Sequence, residues 1–157
     1  GSVLFRNLGQ LRFQEASNAA GVWGPSLHRL GFGAVLVDVD LDGNLDLATA
    51  NGHVYRDAHK INQPFAQEAQ LFLGNGKGKF REVSRQAGPY FRQKLVGRGL
   101  AWADFDNDGR PDLAYSNNGG PVGLLRNETE TNHHWLRLEL IGDGKHSNRN
   151  AIGEETG

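Results

Sequence analysis

The chain has 157 residues, 22 of them glycine, with 17 basic and 18 acidic side chains and a formal charge of −1. It contains no cysteine, which excludes disulfides, thiolate metal sites and a cysteine nucleophile. No apolar run approaches the roughly 18 residues of a membrane span, and the scattered basic residues lack the dense, aromatic-interleaved stripe of a nucleic-acid surface.

In chain order, Gly1-Ser2 reads as a cloning scar. "LFRNLGQLRFQEASNAAG" at 4–21 follows and aligns without gaps with "LFLGNGKGKFREVSRQAG" at 71–88. Both stretches are expected to close in a helical turn, before Gly21 and before Gly88. "LGFGAVLVDVDLDGNLDLATANG" at 30–52 aligns with "VGRGLAWADFDNDGRPDLAYSNNG" at 96–119, so that Asp38 and Asp104 stand 66 residues apart. "GAVLVD" and "LAWAD" are nearly continuous apolar runs, the pattern of strands buried on both faces, and Trp102 is expected to pack between neighbouring units. "LDLATA" and "PDLAYS" follow as second strands. "AQLFLGNGKGKFREV" reads as a hairpin around a Gly-rich turn.

Between Asn51 and Leu71 the first unit makes a long excursion, where His53, Tyr55, Asp57 and His59 alternate and would share one face if extended. A transition-metal or ligand site there and an ordinary polar loop are both compatible with the pattern. A third start, "LLRN" at 124–127, then leaves the repeat. Such internal periodicity marks solenoid and propeller arrays, and four strands per unit is the size of a propeller blade. The expected fold is therefore all-β: antiparallel four-stranded propeller blades, about two and a half repeats. The units run from the end of a preceding blade (1–29) through a blade with a long inserted loop (30–95) to a further blade (96–131). A different stretch occupies 132–157.

The repeated element "DVDLDGNLD" at 38–46, echoed by "DFDNDGRPD" at 104–112, takes eight of the ten aspartates. Two unpaired carboxylates about 4 Å apart repel by roughly 1 kcal/mol in water and about 4 kcal/mol at an effective dielectric near 20. A divalent ion would offset that repulsion. Calcium takes six to eight oxygens, and carboxylates at alternating positions can wrap it. In the first loop the ligands would be Asp38, Asp40, Asp42, the carbonyl of Asn44, and Asp46, with Gly43 permitting the turn. In the second they would be Asp104, Asp106, Asp108, the carbonyl of Arg110, and Asp112. About two calcium ions are thus expected, one per loop. Magnesium fits less well, because it prefers few carboxylates and keeps its waters. An EF-hand is excluded: its twelfth position would be Thr49 or Tyr115 instead of Glu, and the flanks are strand-like. Two further readings stand beside calcium, an ion-free acidic turn with Asx hydrogen bonds and a hydrolase carboxylate pair.

These motifs resemble FG-GAP or VCBS-type repeats, the calcium-loop blades of integrin α-like propellers, and more closely the cartilage acidic protein/ASPIC-UnbV group. "NHHWLRLELIGDGKHSNRNAIG" at 132–153 is similar to the start of the ASPIC/UnbV module at Asn132, Trp135, Leu136 and "SNRNAIG", after which most of that module is missing. The resemblance implies calcium-dependent blades on an exported protein, whether extracellular, on the cell surface or periplasmic. It implies no activity. The expected function is a non-catalytic scaffold for adhesion or for binding an extracellular protein or glycan. The alternative is a propeller-type hydrolase or lyase acting on a polysaccharide. Open blade faces would be covered by the remainder of a larger propeller or by self-association.

Overall fold

The structure, a computed structural model, describes residues 1–142 apart from 62, 137, 139 and 140. Its strands form three antiparallel sheets. β1 (Phe5–Asn7) and β2 (Phe13–Glu15) make the first. β3 (Gly31–Val37), β4 (Asp46–Asn51), β5 (Gln70–Gly74) and β6 (Phe80–Glu82) make a four-stranded meander. β7 (Gly97–Ala103), β8 (Asp112–Asn117) and β9 (Gly123–Leu125) make the third. This is the strand order of propeller blades, and the all-β expectation is correct.

The sequence repeat is also a repeat of register. Val37 faces Asp46 and Ala34 faces Thr49, just as Ala103 faces Asp112 and Leu100 faces Tyr115. Both pairs slip by a bulge at the G-x-G, between Gly31 and Gly33 and between Gly97 and Gly99. The glycines allow contact between sheets: a Cβ on Gly33 would lie 2.7 Å from the Leu100 amide nitrogen, and one on Gly52 would lie 2.8 Å from the Val96 Cα. β3 and β7 therefore meet backbone to backbone.

The core lies between the sheets. β4 is buried along its whole length. Ala48, Ala50, Leu71, Phe91, Leu113 and Tyr115 form the larger cluster, with Phe91 edge-on to Tyr115. Ala20, Val22, Leu47 and Phe72 form the smaller one. Full burial of a side chain such as Phe72 contributes roughly 1.5–3 kcal/mol. The two helical turns form as expected, with the Ala20 amide donating to the Ala16 carbonyl at 2.7 Å and Ala87 to Val83 at 3.1 Å. Each turn ends in a left-handed glycine, Gly21 or Gly88.

Three expectations are corrected. β3 is not buried on both faces, since Phe32 and Leu36 are exposed; β4 is the strand with sheets on both sides. Trp102 does not pack between sheets and is 51% exposed. The β3–β7 approach is at Gly33 and Gly99–Leu100, and Trp102 lies beyond it toward the acidic turn. The 53–59 segment is not extended, because Arg56–Ile61 coils into a 3-10 turn. His53 is buried with its Nδ1 accepting the Tyr55 amide, Tyr55 is exposed, and Asp57 pairs with Lys60. The His59 side chain and the "SNRNAIG" run at 147–153 lie outside the described residues.

Candidate metal centres

Each acidic loop leaves the end of an inner strand and returns as the buried second strand. In the first, the Asp38 carboxylate accepts the Asp42 amide (3.1 Å) and the Gly43 amide (2.8 Å), while Asp42 accepts the Asn44 amide (2.8 Å). The second repeats this bond for bond: Asp104 accepts the Asp108 and Gly109 amides at 3.0 Å each, and Asp108 accepts the Arg110 amide at 2.9 Å. Gly43 and Gly109 share a φ of 85°, and Leu41 and Asn107 share a φ of 59°. Carboxylate oxygens of Asp38, Asp40 and Asp42 lie within 4.8 Å of one another, and those of Asp104, Asp106 and Asp108 do the same.

The fourth aspartate of each motif has a different setting. Asp46 is buried, and its two oxygens accept the Val39 amide (2.9 Å) and the Gly74 amide (2.8 Å). Asp112 repeats this with the Phe105 amide (2.9 Å) and the Asn127 amide (2.7 Å). Both residues tie the loop's entry to the neighbouring strand, and neither is among the three clustered carboxylates of its loop. Burial pushes Asp46 up to about 6, assisted by the charges of Asp40 and Asp38 and opposed by the two amides. Asn44 turns its side-chain amide to Asp42 at 2.9 Å, and Arg110 turns its guanidinium to Asp108.

The donor set fits a hard cation. Every clustered ligand atom is a carboxylate oxygen. Oδ1 of Asp40 is buried with no hydrogen-bond partner among the described residues, a costly state that a cation would relieve. Desolvation, then the charges of Asp42 and Asp38, raise the Asp40 pKa. Asp42 is lowered by the Asn44 hydrogen bonds, and Asp108 by the Arg110 amide and the charges of Arg110 and Arg126.

Sequence reasoning missed three participants. Arg126 Nε lies 2.6 Å from Asp106 Oδ2. Asn127 donates its side-chain amide to the Val39 carbonyl (2.7 Å) and the Pro111 carbonyl (3.2 Å), so it touches both loops. Trp135 lies against Gly109, where a Cβ would collide with its indole ring. The signal for the first two was the third "L-x-R/L-N/G" start at 124–127, which places them opposite the second loop as Leu73 and Gly74 stand opposite the first. His133 and His134 line a cleft with Asp40, Asp108 and Trp135 and are both exposed.

The FG-GAP-like repeat family matches residues 52–115, a stretch that opens beyond β4 and encloses the whole second acidic loop. Human cartilage acidic protein 1 is 32% identical over 116 residues, covering 74% of this chain and 15% of that protein. The mouse protein of the same name is 30% identical and the Xenopus tropicalis one 28%, each over 116 residues. The chain thus spans only 15–16% of the length of these relatives. Among the described residues no helix is long and apolar enough to cross a membrane. With three antiparallel sheets, a duplicated acidic turn and this match, the chain carries an FG-GAP-like repeat over residues 52–115.

Proposed function

We propose that the chain is a calcium-stabilised propeller segment, working outside the cell as a scaffold that presents its surface to a protein or a glycan. The observation that carries the calcium reading is the duplicated loop: three convergent carboxylates in each copy, with a buried oxygen of Asp40 in the first copy left without a donor among the described residues. Asp38, Asp40 and Asp42 would hold one ion and Asp104, Asp106 and Asp108 another. The carbonyls of Asn44 and Arg110 and the acids Asp46 and Asp112 stand next to them in each loop. The ion would supply the positive charge that lets the turn close, and binding that occurs only in the folded state adds to stability. The likeness to cartilage acidic protein 1 supports an exported scaffold over a catalyst.

A thermal melt in excess calcium, set beside the same melt in EDTA and in magnesium, tests the reading. A calcium-specific rise of several degrees is expected. Identical curves in all three would leave the loops as ion-free acidic turns.

A further inference from the structure

We propose that the two acidic loops are unequal, the first depending on its ion and the second carrying a built-in counter-charge, Arg126, that an incoming calcium must displace. This rests on the calcium reading. Asp40 and Asp106 hold the same place in the repeat. Asp40 Oδ1 is buried and has no hydrogen-bond partner among the described residues, whereas Asp106 Oδ2 takes Arg126 Nε at 2.6 Å. Arg126 also reaches Asp108 Oδ2 at 3.5 Å, and the Arg110 guanidinium pairs with that same oxygen.

The first loop has no equivalent of either arginine. Phe72 faces Leu47 as Leu125 faces Leu113, so the next residue outward is Leu73 in one sheet and Arg126 in the other. Asn44 stands in the place of Arg110, and its amide reaches Asp42 without charge. A guanidinium and a calcium ion compete for the same carboxylate lone pairs, and they repel each other while doing so. Calcium entering the second loop must break the Arg126 contact first. Among the described residues, calcium entering the first meets backbone and amide donors and the nearby His133 imidazole, with no guanidinium to displace.

Calorimetric titration of the 157-residue chain with calcium at pH 8 tests this. Two events are expected, separated by about tenfold or more in Kd. Asp40→Asn should remove the tighter event and Asp106→Asn the weaker. Arg126→Leu, which installs the residue of the first unit, and Arg126→Gln should both tighten the weaker event by about three- to tenfold, the scale of a part-exposed ion pair. The tighter event should not move. Arg12→Gln, which removes the same charge at an exposed site in the turn between β1 and β2, should leave both unchanged. Equal affinities in the unaltered chain, or loss of the tighter event in Asp106→Asn, would overturn the inference. So would Arg126 variants that act no differently from Arg12→Gln. No heat at millimolar calcium would sink the calcium reading itself, and the inequality with it.

Discussion

At the residue scale the two loops fill one shared left-handed position differently. Leu41 and Asn107 both sit at φ 59°, the left-handed region that a side chain such as leucine enters at a cost of roughly 1–2 kcal/mol and that asparagine tolerates. Leu41→Asn should therefore raise the unfolding free energy by about 0.5–1.5 kcal/mol, read from the denaturant midpoint at constant slope. Asp46 sets a pH dependence. Its folded pKa is raised from an ordinary 3.8 to about 6, so the folded chain binds that proton more tightly than the unfolded chain does. The linked stability is full below pH 3.8 and is lost as the pH climbs through 6. Asp42 and Asp108 are shifted the other way and act only below pH 3.8. In calcium-free buffer the denaturant midpoint should fall between pH 4 and 6.5, and Asp46→Asn should flatten that slope. A flat profile in the unaltered chain would show that the buried carboxylate carries no such burden.

The repeated glycines act at the element scale. β3 and β7 approach so closely at Gly33 that a methyl group would meet backbone, which no rotamer change can relieve. Gly33→Ala should cost about 1–3 kcal/mol, as overpacking does, whereas Gly78→Ala meets no neighbouring atom and should cost only the strain of its φ of 76°. The difference between the two variants in urea isolates the packing contribution. The G-x-G motif was visible in the sequence as a repeat, but its purpose was not, because a contact between sheets leaves no local pattern. The same reason accounts for Trp102. An apolar run announces a strand, yet how far along it the next sheet reaches depends on where the two backbones cross. The acidic turns themselves were legible, since the hydrogen bonds that Asp38, Asp42, Asp104 and Asp108 accept from the backbone span at most five residues. Arg126 was hidden, because its contact with Asp106 crosses from the residue after β9 back to the loop before β8.

At the scale of the whole molecule the sheets are unequal in strand number. The second has four strands, and among the described residues β9 of the third has no strand outside it. Leu124 (71% exposed) and Val122 are open there, as are Phe5 and Phe13 on the first sheet. Exposed apolar edges of this kind are pairing sites. The chain alone should self-associate at tens of micromolar in sedimentation velocity, and Leu124→Lys should shift it toward monomer. A single monomeric boundary at that concentration would count against any such coverage by a second copy.

Asn127 gives the two loops a shared fate. One residue donates its backbone amide to Asp112 of the second loop and its side-chain amide to the Val39 carbonyl, which stands between Asp38 and Asp40 of the first. Were both loops to hold the proposed ions, any influence that filling one had on the affinity of the other through this residue would hold in reverse by the same factor. Asp40→Asn should then shift the affinity of the remaining weaker event in the parent chain and leave it unshifted in an Asn127→Ala background. If that influence persists, the communication runs through the sheets instead of through this amide.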